Sequence, residues 1–266
     1  GTLVQTALDQ PEKLASLGPA LAAMGITRDT QAPAGGVIHK DADGDPTGLL
    51  EEKALTGLMT GKAMMPSLSS ILSRVREAQE LYASYGITTA QDGLAYPIMK
   101  TLYKVLGLTG GMKIDVCSYM AVDGSAKGLE GVDSRQVEYH RHFRVAGAKL
   151  LLDGSPQAKT AWLTQPYYVV PQGEDPDYHG FPVYEDDRVC QFFQDCLRHN
   201  WQVLVHCNGD AAGDQMIREY RRAMEITGIT TPLRPVMIHA QTVREDQLDQ
   251  MKELGIYPSF FHDHTY

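Results

Sequence analysis

Hydrophobic and polar positions follow two alternating patterns along most of this chain. From about residue 66 onward, a stretch with helical apolar spacing is followed by a short β-rich stretch and then by polar or glycine-bearing residues, six times in succession. Parallel α/β sheets produce repetition of this kind, and their strands all end at one edge of the sheet. The predicted helices are residues 67–84, 97–106, 134–143, 185–199, 214–227 and 244–254, and the predicted strands are residues 86–93, 113–120, 148–155, 202–210, 235–241 and 255–261.

The amino-terminal part of the chain has a different pattern. Leu14, Leu17, Leu21 and Met24 have helical spacing, which predicts a helix within residues 3–25 that is interrupted at residues 18–19. Two short β runs in residues 36–50 flank Asp-Gly and Asp-Pro turn residues, which predicts a β-hairpin. We therefore predict two parts: a helix and hairpin segment in residues 1–65, and an incomplete barrel in residues 66–266.

The composition excludes several classes of protein. The chain has 266 residues, with 33 Asp and Glu against 24 Lys and Arg and a net charge of −9, whereas proteins that bind phosphate backbones or anionic membranes are usually basic. No apolar run approaches the roughly 20 residues needed to span a bilayer, and the chain does not begin with a signal-peptide pattern. We therefore expect a soluble cytoplasmic protein that binds neither nucleic acid nor membrane.

The number and spacing of the cysteines are typical of a protein from a reducing compartment. The chain has four of them, Cys117, Cys190, Cys196 and Cys207, and no two have CxxC spacing. We interpret them as reduced thiols rather than as a disulfide framework.

Three residues on the predicted strands are chemically unusual. Buried parallel strands are normally aliphatic, but Lys149 lies early in one of these strands, and His206 and His239 lie near the ends of the next two. Such polar groups would cost several kcal/mol if they were buried without partners, and a shared site would satisfy them. A single histidine at a strand end is usually a packing residue, whereas two on successive units after a lysine predict a metal site.

Other polar residues near the strand ends have weaker signals. Asp92 and Asp153 end strands on the predicted catalytic face, so they are candidates for lining the pocket or for supporting the metal ligands. Asn208 and Asp210 fit helix caps. The connection formed by residues 156–184 is rich in aromatic residues, which suits either a substrate lid or a packing role.

At these residues the chain resembles the amidohydrolase superfamily, and within it the YtcJ-like amidohydrolases of amidohydrolase family 3, which include N-substituted formamide deformylase. The order and spacing of several short motifs carry the resemblance, which covers nearly the whole chain. The motifs are residues 22–30 (AAMGITRDT), 41–48 (DADGDPTG), 86–89 (GITT) with Asp92, 149–155 (KLLLDGS) with 160–161 (TA), 205–206 (VH) and 238–241 (IHAQ).

The resemblance implies a fold and a chemistry. The fold is a partial TIM (β/α) barrel of the metal-dependent hydrolase type, with about six of the eight strands of a complete barrel. Lys149 matches the family's strand-four lysine, which is usually carboxylated and bridges two metals, while His206 and His239 match metal-binding histidines. Zn²⁺ suits these ligands and would activate water to attack an amide-type carbonyl, although iron, manganese and nickel can share such ligands.

The chain also departs from the family's pattern. The His-x-His strand that begins the barrel and the metal-binding Asp of the last strand cannot be placed, so the catalytic residue is unknown. His262 and His264 have His-x-His spacing but follow the strand after His239, where the family has a loop near the substrate. We therefore expect them to contribute to the substrate pocket rather than to form the metal-binding pair. The amino-terminal β-sandwich is also missing, and the chain corresponds to about half of a complete member.

We therefore expect a hydrolase of amide-type C–N bonds in a parent protein, with this chain as an incomplete and inactive portion. Two alternatives stay open: a Schiff-base lyase that uses Lys149, and a non-catalytic barrel remnant that serves as an interaction surface. An incomplete barrel has two open sheet edges, and unpaired edges favour strand addition. We accordingly predict a homodimer through these edges, in addition to a small-molecule amide substrate that the sequence does not identify.

Overall fold

The computed structural model describes residues 21, 25–33, 36–52, 54, 67–122, 127–171, 173–231 and 233–261. The chain divides into two compact units, residues 1–71 and 72–266, and each is described by itself. The predicted boundary between residues 65 and 66, most of the predicted amino-terminal helix, and His262 and His264 lie outside the described residues.

The first unit contains the predicted β-hairpin. Strands β1 (Gly36–Lys40) and β2 (Pro46–Glu52) pair in antiparallel fashion. The turn between them is closed by the carboxylate of Asp41, which accepts hydrogen bonds from the backbone N–H groups of Asp43 and Asp45 at 3.0 and 2.9 Å. The prediction of a hairpin is therefore confirmed.

A single parallel sheet dominates the second unit. Its six strands lie in chain order, each paired with its sequence neighbour, so the prediction of an α/β partial barrel with six parallel strands is confirmed. From residue 68 the elements are α1 (Leu68–Ser84), β3 (Thr89–Ala95), α2 (Pro97–Thr109), β4 (Asp115–Ala121), β5 (Phe143–Leu151), α3 (Asp186–His199), β6 (Gln202–Cys207), α4 (Asp210–Thr227), β7 (Val236–His239), α5 (Glu245–Leu254) and β8 (Tyr257–Phe260).

Helix α3 shows how the sequence specifies the helical layer. Its buried residues recur at intervals of three and four, so one face is apolar and packs on the sheet. Asp186 and Asp187 lie in the first turn and Arg198 in the last, where each charge complements the helix dipole. Asn200 ends the helix with a left-handed φ of 57°.

The sheet has one large core on its helical side and a smaller cluster on its inner face. Leu150, Val205 and Met237 belong to the large core, which includes Phe193 of α3 and Met216 of α4. The inner cluster contains Tyr119, Ala146 and Leu204, with Ile238 packed against it. Because strand side chains alternate between the two faces, Lys149 and His206 belong to the inner face.

The predicted helix at residues 134–143 is wrong. This segment is a turn-rich loop, and β5 begins at Phe143 rather than at the predicted residue 148. Arg141 and His142 have left-handed φ values of 51° and 67°, which a right-handed helix excludes. The side chain of Ser134 accepts the backbone N–H of Gln202 at 2.7 Å, so contacts distant in sequence determine this conformation. A cavity of about 500 Å³ lies between α2 and the segment around residues 130–145.

The two edge strands, β3 and β8, are less buried than the strands between them. Every residue of β8 is exposed, including Tyr257 and Phe260. Pro258 pairs with Met237 on the only side where β8 has a neighbouring strand among the described residues.

All four cysteines are free thiols, which confirms the prediction made from their spacing. Within the described part of the chain, no helix combines the length and apolar character needed to cross a membrane.

Candidate functional site

The carboxyl ends of β6 and β7 bring His206 and His239 together. Their imidazole centroids lie 4.7 Å apart with an interplanar angle of 79°. His239 is paired in register with Cys207, and the side chain of Cys207 belongs to the core on the helical side of the sheet. Regular strand geometry would therefore turn the ring of His239 to that side, away from His206. Left-handed φ values of 74° at His239 and 46° at Ala240 redirect the chain here. Such conformations cost about 1–3 kcal/mol each in residues other than glycine and cluster at functional sites.

The protonation state of His206 follows from its surroundings. Burial is the main cause that lowers the pKa of His206 to about 4; the hydrogen bond to the Gly154 carbonyl opposes it, and the nearby charges of Lys149 and His239 contribute smaller lowering effects. The ring is therefore neutral at pH 7. Its Nε2 lies 2.8 Å from the carbonyl oxygen of Gly154, so the single proton belongs on Nε2. That leaves the Nδ1 lone pair available for a metal ion.

Lys149 is a buried amine with no counter-ion in the described part of the chain. It is 7% exposed, and no hydrogen bond or ion pair to its Nζ exists within the described residues. Burial lowers the pKa of Lys149 from 10.5 to about 8. Leu151 is paired with His206 in the sheet, and Lys149 lies two residues earlier on the same face. The amine is therefore partly deprotonated near neutral pH and lies close to the histidine pair.

Asp153 organises the backbone around His206. Its fully buried carboxylate accepts backbone N–H groups from Trp162, Asn208 and Gly209 at 3.1, 3.0 and 2.7 Å. Its Oδ1 also lies 3.6 Å from His206 Nε2. Asp153 thus connects the end of β5 to the segment that joins β6 and α4. Its carboxylate also lies on the side of the His206 ring where Nε2 carries the proton.

Asp92 does not join this group. Its Oδ2 accepts a hydrogen bond from the hydroxyl of Tyr103 on α2 at 3.1 Å, and its register partner is Ser118. The carboxylate therefore faces the helical layer, whereas the histidine pair lies on the inner side of the sheet. The structure consequently separates Asp92 from Lys149, His206 and His239.

Asn208 and Asp210 have contacts that the sequence analysis did not anticipate. Gly209, rather than either of them, precedes the first turn of α4. Asn208 directs its side chain to the carbonyl of Gly154 at 2.7 Å and lies 3.0 Å from His206 Nε2. Asp210 accepts the backbone N–H of Thr164 at 2.8 Å and pairs with Arg244 at 3.1 Å. The sequence signal for this contact was the spacing of two residues between His206 and Asn208, because side chains two apart in extended chain point to the same side.

The aromatic connection between β5 and α3 is attached to the same strand ends. The carbonyl of Trp162 accepts the N–H groups of Ala211 and Ala212 in the first turn of α4. The hydroxyls of Tyr167 and Tyr178 bond to backbone carbonyls of the connection itself, and their rings stack at 6.0 Å. These contacts show a packing role for the two tyrosines, while Tyr168 is fully exposed.

These residues fit part of a metal site. They include two adjacent imidazoles, one of them neutral, and a buried amine that has no hydrogen-bond or ion-pair partner among the described residues. Across the described ranges, no three His, Cys, Asp or Glu side chains converge closely enough to hold a metal ion. A metal site formed by the described residues would therefore depend on Lys149 in addition to the two histidines.

Comparisons with known proteins identify the family of the chain. A family model described as the amidohydrolase family matches residues 15–266. The chain is 26% identical over 259 residues to the amidohydrolase YtcJ of Bacillus subtilis, covering 89% of this chain and 43% of YtcJ. It is 23% identical over 255 residues to the protein LONG AFTER FAR-RED 3 of Arabidopsis thaliana, covering 92% of this chain and 42% of that protein.

Solved structures show the same fold. A metal-dependent hydrolase of Pyrococcus horikoshii superposes with a TM-score of 0.64 at 23% identity, over 91% of this chain and 45% of the other. A second one, of Pyrococcus furiosus, superposes with a TM-score of 0.61 at 24% identity, over 89% of this chain and 46% of the other. The chain thus spans less than half the length of the relatives that it matches.

Proposed function

Because this chain belongs to the amidohydrolase family, we propose that it carries part of the metal centre of a hydrolase that cleaves amide-type C–N bonds. The observation that carries the proposal is the contact between His206 and His239 beside the buried Lys149, which has no partner in the described part of the chain. His206 Nδ1, His239 and Lys149 are the groups that would hold the ion. A divalent metal, for which zinc is our candidate, supplies Lewis acidity and lowers the pKa of a bound water toward neutrality.

Lys149 suits this role as a carbamate. With a pKa of about 8, a useful fraction of its Nζ is neutral at pH 7 and can add to CO₂. The new N–C bond forms as the nitrogen loses a proton, and the product is an anion where the structure otherwise holds a buried cation. This change removes the electrostatic penalty of the buried ammonium in the presence of a cationic metal.

We further propose that the 266-residue chain alone is inactive. The described residues include no general base beside the histidine pair, since Asp153 is occupied by three backbone N–H groups and Asp92 faces the helical layer. A parent protein would complete the ligand set and supply the base. Four free thiols support a reducing compartment such as the cytoplasm for that protein.

Zinc analysis of the full chain tests the metal site. After zinc addition and dialysis, we expect bound zinc in the wild-type chain and its loss in His206→Ala and His239→Ala. His142→Ala is the matched control, because His142 is exposed, pairs with Asp115 at 2.8 Å, and directly precedes β5 at the opposite end of that strand. A wild-type chain without zinc, or equal zinc in all four proteins, would overturn the proposal.

Activity assays separate the alternatives. N-substituted formamides and p-nitroanilides should show no hydrolysis above the blank with this chain, and robust zinc-dependent turnover would contradict its inactivity. The buried Lys149 also suits the Schiff-base alternative. Covalent trapping of a carbonyl compound on Lys149 by borohydride would favour that alternative over a metal site.

We also propose that the chain self-associates through its open sheet edges. The exposed residues of β8, with the aromatic Tyr257, Phe260 and Phe261 at its end, support this proposal. Light scattering over a wide concentration range should show a dimer, and a constant monomeric mass would exclude it.

A further inference from the structure

Asn208 connects all three strand ends that carry the candidate metal ligands. Its backbone N–H donates to Asp153 Oδ1, beyond the end of β5, at 3.0 Å. Its carbonyl accepts both the N–H and the hydroxyl of Thr242, three residues after His239, at 3.2 and 2.9 Å. Its side chain lies against His206 on its own strand. Through these contacts, Asn208 holds together the segments that position the two histidines.

The side-chain amide of Asn208 meets His206 through a shared acceptor. The carbonyl oxygen of Gly154 receives Asn208 Nδ2 at 2.7 Å and His206 Nε2 at 2.8 Å, and the two nitrogens lie 3.0 Å apart. A deprotonated Nε2 would direct its lone pair at the lone pairs of the carbonyl oxygen at this short distance. Both nitrogens therefore act as donors to one oxygen, and this arrangement requires the proton on Nε2.

The orientation of the amide is also determined. A flipped amide would place Oδ1 2.7 Å from the carbonyl oxygen of Gly154, where two acceptors repel. In the observed orientation Oδ1 has no hydrogen-bond partner within the described residues, although Asn208 is only 3% exposed. A buried acceptor left unpaired costs stability, so stability alone does not explain an amide at this position.

We propose that Asn208 is a positioning residue for the metal centre: with the Gly154 carbonyl, it holds His206 with its proton on Nε2 and its Nδ1 directed to the ion. This inference deepens the proposed function and rests on it. Asn208 itself touches neither substrate nor metal in this scheme. Its effect is to select one neutral form of His206 and one ring orientation.

The first test needs no metal. In the metal-free chain at about pH 8, above the pKa of His206, long-range proton–nitrogen NMR of ¹⁵N-histidine distinguishes the two neutral ring forms. We expect His206 to carry its proton on Nε2 in the wild-type chain. In Asn208→Leu it should populate both forms, because the Gly154 carbonyl then loses the Asn208 donor that holds it against Nε2. The leucine keeps the branching of the side chain at Cγ and removes its donor.

The second test measures zinc. Loss of such an outer partner typically weakens metal affinity by about 10–100-fold, and we expect this loss in Asn208→Leu by competition with a chelator. Gln215→Leu is the matched control, since Gln215 is an equally buried amide that bonds to Tyr184 and Asp186, away from the histidines. It should lose stability but keep the wild-type zinc affinity and ring form.

The outcomes separate this inference from the proposed function. If Asn208→Leu keeps both the ring form and the zinc affinity of the wild-type chain, Asn208 has no positioning role. If the wild-type chain binds no zinc, the proposed function fails, and the NMR comparison still decides whether Asn208 selects the ring form. If Asn208→Leu does not fold, Asn208→Ser, which is too short to reach the Gly154 carbonyl, takes its place in both tests.

Discussion

The centre and the edge of the sheet use polar residues in opposite ways. At the ends of β5 and β6, Asp153 is fully buried and accepts three backbone N–H groups. On the edge strand β3, Asp92 accepts one hydroxyl and one long backbone contact of 3.4 Å, in a partly exposed position. The same residue type therefore organises a site in the centre and contributes a local contact at the edge. What distinguishes the two is the number of distant segments that each carboxylate joins.

The largest expected effect tests this difference directly. Asp153→Ala leaves three buried N–H groups without an acceptor, so we expect a loss of about 3–5 kcal/mol in the free energy of unfolding. Asp92→Ala should cost about 1 kcal/mol. Urea denaturation of both variants measures the two values, and equal losses would remove the distinction between centre and edge.

The second prediction concerns Lys149 in the metal-free chain. Its pKa is about 8 in the folded chain and 10.5 when solvated, so the protonated amine destabilises the folded state. The penalty of about 3 kcal/mol is complete below pH 8 and disappears as the pH rises to 10.5. Lys149→Met should therefore be more stable than the wild-type chain at pH 7.

Urea denaturation with EDTA between pH 7 and 10.5 measures this effect, and the advantage of Lys149→Met should shrink steadily above pH 8. Lys113→Met is the control, since Lys113 is exposed and pairs with Glu80 at 2.9 Å. A difference that does not depend on pH would show that the folded chain does not disfavour the charge on Lys149.

The third prediction compares two glycines. A Cβ atom at Gly209 would lie 1.8 Å from the backbone oxygen of Trp162, which no side-chain rotation relieves. We expect Gly209→Ala to cost about 1–3 kcal/mol. At Gly93 on β3 the nearest atom would be 3.7 Å away, so Gly93→Ala should be neutral or stabilising by up to about 1 kcal/mol. Thermal unfolding distinguishes the two, and a loss at Gly93 alone would contradict the comparison.

The smallest effect on stability is expected on β8. Phe260 is exposed, so Phe260→Ser should change the free energy of unfolding by less than about 0.5 kcal/mol. If the chain associates through this edge, the same variant should nevertheless be monomeric by light scattering. Tyr168→Ser, an exposed aromatic in the connection before α3, serves as the control and should leave the mass unchanged.

Much of the fold was predictable from local pattern. Helices such as α3 have apolar residues at helical intervals and charges suited to their ends, and β6 is an aliphatic run followed by His206 and Cys207. The predicted helix at residues 134–143 failed because Ser134 bonds to Gln202, 68 residues later, and local propensity contains no information about that contact.

The candidate site was predictable only in part. Alternation along β5 and β6 places Lys149 and His206 on the same face of the sheet, whereas Asp153 lies beyond the end of β5. The orientation of Asp92 was not accessible, because it depends on the register that pairs Asp92 with Ser118 and on the contact with Tyr103 of α2. Asn208 resembled a helix cap because its partner, the carbonyl of Gly154, is a backbone group 54 residues away that has no signature in the sequence.

The three bonds of Asp153 also have a consequence for the order of folding. Two of them close loops of 55 and 56 residues, to the N–H groups of Asn208 and Gly209. The environment of His206 therefore forms only after β5 and β6 have docked, and neither strand can prepare it alone. In hydrogen exchange, the amides of Asn208 and Gly209 should open together with that of Trp162, as one cooperative unit that spans three separate stretches of the chain.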